Sequence, residues 1–131
     1  MFVDASAIVA IIAGEPDATH LETRLVTAKR SYASAMATYE ATLGIARSLN
    51  LSIGNAESLV DDLLSQIHAE IIPITDEIGR GAIRAFGRFG RGRHPARLNM
   101  GDCFAYACAQ ALDVPLLFKG DDFSQTDIAV A

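Results

Sequence analysis

The chain opens MFVDASAIVAIIA over residues 1–13, and the reading of this stretch decides the fold. Met1 to Val3 is apolar and β-prone, and Asp4 then stands before an Ala/Ile-rich segment that carries no further charge up to Ala13. That order reads as a short buried strand passing at once into a helix, with an acid at the strand's carboxyl end. Strands that feed directly into helices build parallel sheets with helices on both faces.

The rest of the chain continues the alternation. Asp17 to Ala28 carries Leu21, Leu25 and Val26 at helical spacing, and Ser31-Tyr-Ala is a weak strand leading into Ala35 to Leu49. There Met36, Tyr39, Leu43, Ala46 and Leu49 recur at three and four, which predicts a helix. Asn55 to His68 repeats the pattern with Leu59, Leu63, Leu64 and Ile67 opposite Asp61 and Asp62. Ile71 to Ile74 contains Pro73, so it reads as a strand near a sheet edge. Thr75 caps a helix reaching about Phe89, and Gly87 to Pro95, rich in Gly and Arg, reads as a mobile basic loop. Asn99 caps Met100 to Leu112, apolar almost all round and so destined for the centre of the domain. Val114 to Phe118 is a last buried strand. The sum is an α/β fold, one domain over residues 1–131, with a small parallel sheet of about four to five strands flanked by helices.

Composition bounds the function. Of 131 residues, 50% are apolar, which excludes disorder and supports one core without disulfides or structural metal. No apolar run is longer than the seven residues of Ala7 to Ala13, far short of the roughly 18 residues of a membrane span. Asp4 precedes it with no Lys or Arg, the reverse of a secretory leader, so a cytoplasmic protein is expected. Cys103 and Cys108 fall on different faces of one helix and read as buried thiols. His20, His68 and His94 have no zinc-site spacing. A net charge of −5 argues against a polyanionic partner. However, Arg80, Arg84, Arg88, Arg91, Arg93 and Arg97 lie within one short segment, and the first four form a stripe while helical.

Four acidic positions resist a purely solvated reading. Asp4 ends the first strand, Glu40 interrupts an otherwise uncharged helical stretch, Asp102 is the only charge in the core helix, and Asp121/Asp122 follow the last strand. Each has a local explanation: Asp4 as a helix cap, Asn99 with Asp102 as a capping box, Asp121 or Asp122 as a turn residue, Glu40 facing water. Strand carboxyl ends in a parallel sheet nevertheless gather on one edge, where ligand sites form. Converging carboxylates either take up protons or bind cations, and oxygen-only donors suit Mg²⁺ or Mn²⁺. Such a cluster is suited to phosphodiester hydrolysis.

Four segments in order, MFVDASA at 1–7, ATYEA at 37–41, LNMGDCFAYA at 98–107 and LLFKGDDF at 116–123, resemble the PIN-domain ribonucleases, specifically the VapC toxins of bacterial VapBC toxin–antitoxin pairs. The resemblance implies a Mg²⁺- or Mn²⁺-dependent endoribonuclease, often a homodimer, restrained by a VapB-like antitoxin in a groove beside the acids. Carried onto this chain, it makes Asp4 and Asp102 the principal metal ligands, Glu40 a ligand or water-orienting carboxylate, and Ser6 a supporting hydroxyl. The fourth catalytic acid is Asp122 or Asp121, with Asp127 more remote, because Phe118 and Gly120 stand where many members have Thr or Ser and then Asp or Asn. Arg88, Arg91 and Arg93 are expected to contact RNA or the antitoxin. The other classes open to the sequence are a PIN-fold module that binds RNA or protein without cutting, and a structural subunit whose acids are caps.

Overall fold

A computed structural model describes residues 1–131. Its elements are β1 (Phe2–Val3), α1 (Ala5–Ile12), α2 (Ala18–Thr27), β2 (Tyr32–Ser34), α3 (Ala35–Ser48), α4 (Ile53–Gln66), β3 (Glu70–Ile72), α5 (Asp76–Phe89), α6 (Met100–Leu112) and β4 (Leu116–Leu117). The four strands form one parallel sheet in the order β3-β2-β1-β4. A bridge from Leu116 to Val130 lays the carboxyl-terminal residues beside β4. Strand β3 takes an edge and stops at Ile72, so Pro73, which has no N–H to give a ladder, falls just outside it rather than within it. No helix is long and apolar enough to cross a membrane.

Alternation along the strands divides the interior in two. Phe2, Tyr32 and Leu116 point into the cluster beneath α5 and α6, whereas Val3, Ala33 and Leu117 point into the one beneath α1 to α4. Both faces of the sheet are therefore covered at β1 and β4, which are apolar and buried, whereas edge strand β3 leaves Glu70 and Ile71 exposed. Helix α6 lies where its composition requires, with Cys103, Ala105, Tyr106, Ala107, Cys108 and Ala109 all buried. Both cysteines are free thiols.

Two helices turn differently from what their large apolar residues indicate. In α3 the buried stripe is Ala37, Ala41 and Ile45, while Tyr39 and Leu43 are exposed. The cause is close packing: a Cβ at Gly44 would stand 2.8 Å from Val9 of α1, so small residues face inward. Tyr39 and Leu43 instead line a groove of about 820 Å³ with Ile53 and Ile71. In α4, which starts at Ile53 rather than Asn55, Ala56, Val60 and Leu64 are buried and Leu59 is exposed.

The basic segment after α5 is more ordered than its composition indicates. Gly90 and Leu98 bridge, Arg91 N–H donates to Leu98 O, and His94 N–H donates to Gly90 O. Ala96 and Leu98 are buried beneath it, and the His94 ring stands edge-on to Phe89 at 5.2 Å. Buried anchors at Phe89, Ala96 and Leu98 fix a loop whose exposed residues are Arg91, Gly92, Arg93, Pro95 and Arg97.

Candidate active site

The carboxyl ends of β1 and β4 and the first turns of α1 and α6 surround a hollow of about 350 Å³. Asp4, Ser6, Glu40, Asp102 and Asp122 line it, together with Glu15, Arg47 and Lys119. Asp121 is not among the lining residues; its carbonyl accepts hydrogen bonds from Ser124 at the following turn.

Asp4 is held by the strand-to-helix junction. It is the N-cap of α1, and its Oδ2 accepts from the Ser6 N–H at 2.9 Å and from the Ser6 Oγ. Ser6 Oγ in turn accepts from the Lys119 N–H at 3.0 Å, so one hydroxyl ties the acid to the loop after β4. The Asp4 side chain is buried, which raises its pKa against the two Ser6 hydrogen bonds, and Asp122 raises it further. A cap satisfies helix N–H groups whether or not the acid has another task. The local and the chemical reading of Asp4 hold together.

Asp102 shows the same duality. Its Oδ2 accepts from the Asn99 N–H at 2.8 Å, and Asn99 Oδ1 accepts from the Asp102 N–H at 3.0 Å, which completes a capping box. Its other oxygen accepts no hydrogen bond. Burial lifts its pKa to about 6, the Asn99 bond opposes this, Asp4 and Asp122 add to it, and Arg91 lowers it. Arg91 thereby places the basic loop within electrostatic reach of the acids.

Glu40 projects from α3 over the first turn of α6. A Cβ on Gly101 would lie 2.1 Å from both of its carboxylate oxygens, so glycine at 101 leaves the space the carboxylate fills. Burial, then the charges of Asp4 and Asp102, push its pKa to about 7. Three acids from the starts of α1 and α6 and from α3 thus stand around one hollow, each raised first by burial and then by the charge of an acidic neighbour.

Asp127 lies elsewhere. It accepts from the Tyr106 hydroxyl and, at 2.8 Å, from Arg88, and these partners hold its carboxyl below the usual range. Arg88, which also stacks 4.6 Å over Phe89, is therefore committed to pinning the carboxyl-terminal segment. Arg91 and Arg93 are exposed on the loop and make no ion pair.

The donor set answers to a hard divalent cation. The oxygens that the acids offer are carboxylate oxygens, a donor type that suits a hard cation such as Mg²⁺ or Mn²⁺ and not a soft metal. No three His, Cys, Asp or Glu side chains are gathered tightly enough to enclose an ion as they stand. A cation between the acids would offset the charge that raises their pKa values. Glu15 and Lys119, an ion pair at the rim, were not singled out in the sequence. The one signal was Lys119 inside the segment before Asp121.

Comparisons place the whole chain among known proteins. The PIN domain profile matches residues 1–129. A VapC ribonuclease of Rhizobium meliloti is 39% identical, over 97% of this chain and 98% of its own. Ribonuclease VapC42 of Mycobacterium tuberculosis is 42% identical, over 100% of this chain and 98% of its own. Among solved structures, Mycobacterium tuberculosis VapC20, titled a Sarcin-Ricin loop cleaving toxin, superposes with a TM-score of 0.78 at 14% identity, over 99% of this chain and 97% of that one. A chain of a Klebsiella pneumoniae toxin–antitoxin complex superposes with a TM-score of 0.72 at 18% identity, over 99% and 95%.

Proposed function

Since this chain belongs to the PIN-domain family, alongside the VapC ribonucleases, we propose that it is a Mg²⁺- or Mn²⁺-dependent endoribonuclease, the toxin of a toxin–antitoxin pair. The observation that carries this reading is the convergence of Asp4, Glu40 and Asp102, each raised in pKa by burial and a neighbouring acid, on one hollow at the carboxyl edge of a parallel sheet. The names of relatives 39% and 42% identical over nearly the full length support ribonuclease activity.

Asp4, Asp102 and Glu40 would hold the metal, with Asp122 the fourth acid of the hollow. When bound, the metal supplies Lewis acidity, which activates water near neutral pH and offsets charge on the phosphate. The remaining tasks fall to the chain. Ser6 fixes the Asp4 carboxylate through two hydrogen bonds and leaves Oδ1 free of them. The Asn99 N–H fixes Asp102 through Oδ2. Glu40, raised to about 7 in the metal-free chain by burial and by the Asp4 and Asp102 charges, would be drawn into its ionised form by a cation held among the three acids. Arg91, within electrostatic reach of Asp102, and Arg93, exposed on the same loop, present cations to draw in the RNA backbone.

The partner on this reading is a VapB-like antitoxin that occupies the groove beside the acids, and the working form is a cytoplasmic homodimer. Incubation of the purified protein with structured RNA in Mg²⁺, in Mn²⁺ and in EDTA tests the activity. Cleavage with either metal and none with EDTA is expected. Cleavage that survives chelation would contradict the metal, and no cleavage of any RNA would favour a non-cutting binding module.

A further inference from the structure

Lys119 is one of two cations that line the hollow, and the one anchored by hydrogen bonds to its buried acid. Five carboxylates line the space, Asp4, Glu15, Glu40, Asp102 and Asp122, against only Lys119 and Arg47. The Lys119 ammonium pairs with Glu15 at the rim and with none of the other four. Both partners sit on turns that glycine sets. Gly14, with φ of 64°, precedes Glu15, and Gly120, with φ of 96°, follows Lys119; neither has an atom near its missing Cβ, so backbone conformation rather than space selects glycine. The Lys119 N–H is bonded to Ser6, which is bonded to Asp4. The lysine's origin is therefore fixed two hydrogen bonds from a buried acid.

The pair is a weak structural device, because its side chains remain 35% and 29% exposed and pairs open to water contribute little to stability. Its placement serves another purpose. An RNA phosphate approaching five carboxylates is repelled unless a cation meets it, and an ammonium with three donors can hold Glu15 and a phosphate oxygen at once. We propose that Lys119 is a substrate-binding residue that contacts a non-bridging phosphate oxygen of RNA lying in the hollow, with Glu15 holding its ammonium at the rim until RNA arrives. This rests on the ribonuclease reading above.

The test measures binding of an uncleavable 2′-O-methyl oligoribonucleotide to the full chain across a salt series, beside cleavage of ordinary RNA. Lys119→Gln is expected to weaken binding severalfold and to lower the slope of log Kd against log salt by about 0.7, one contact on a single strand. Lys119→Arg is expected to restore the slope. Glu15→Gln is expected to bind at least as tightly as the parent, and the double variant to behave as Lys119→Gln. If the pair is only a staple, Glu15→Gln and Lys119→Gln lower the melting temperature alike and neither moves the slope, which overturns the proposal. A parent protein that binds RNA but cuts none ends the ribonuclease reading, and the Lys119→Gln slope still decides the fate of the lysine. A parent that cuts RNA while Lys119→Gln keeps its slope overturns the lysine alone, and a parent that binds no RNA overturns both.

Discussion

At the scale of single residues, the acids do two jobs with one carboxylate. Asp4 caps α1 and Asp102 closes a capping box on α6, yet both also face the hollow with raised pKa values. Local signals made these positions legible in the sequence, and for the same reason the sequence alone could not separate cap from site. Glu40 has no capping role, and its raised pKa has a direct consequence. Burial and its acidic neighbours place it at about 7 against an ordinary 4.5. The folded chain then binds more protons than the unfolded one between these values, so stability falls as pH rises through that window. The penalty is absent below the ordinary value and complete above about 7. Glu40→Gln in metal-free buffer is therefore expected to match the parent's melting temperature at pH 4 and exceed it at pH 7.5. The difference is on the order of 2 kcal/mol after discounting for solvent screening; equal melting temperatures at both pH values would contradict the mutual repulsion. Gly101→Ala tests the same carboxylate from the other side. The new methyl displaces the Glu40 side chain, so cleavage is expected to fall at least tenfold, with thermal unfolding little changed because alanine favours the helix. Full activity in that variant would remove Glu40 from the site.

At the scale of elements, the strands and the central helix were legible because apolar runs and caps are local. Which face α3 and α4 bury was not. Periodicity weighs large side chains, whereas α3 meets α1 through Gly44 against Val9 and buries Ala37 and Ala41. Long-range pairing escaped for a related reason: Arg88 and Asp127 are 39 positions apart in sequence, and nothing local announces their bond. The tie between α5, α6 and the carboxyl-terminal segment runs through Tyr106, buried with its hydroxyl on Asp127. Asp127→Ala strips that hydroxyl of its acceptor and frees Arg88. A loss of about 1 kcal/mol in urea unfolding is expected, with RNA cleavage retained because Asp127 lies outside the hollow. Loss of cleavage with unaltered stability would return Asp127 to the site.

At the scale of the molecule, a net charge of −5 conceals an arrangement with two parts. Carboxylates gather at the carboxyl edge of the sheet, and an arginine loop closed by Gly90 and Leu98 stands beside them through Arg91. A divalent cation relieves the acids' repulsion only where they are ionised. Mg²⁺ at about a hundred times its dissociation constant is thus expected to stabilise the fold by about 2.7 kcal/mol at pH 7.5 and by much less at pH 5. Equal shifts at both pH values would point to binding elsewhere. The most direct measurement is cleavage of a structured RNA in Mg²⁺ by Asp102→Asn beside the parent. Asparagine can still accept the Asn99 N–H bond and removes one repulsive charge, so the variant is expected to fold with an unchanged or higher metal-free melting temperature. Its cleavage rate is expected to fall by at least about a hundredfold. A folded Asp102→Asn protein that cuts RNA as fast as the parent would contradict the assignment of this hollow as the active site.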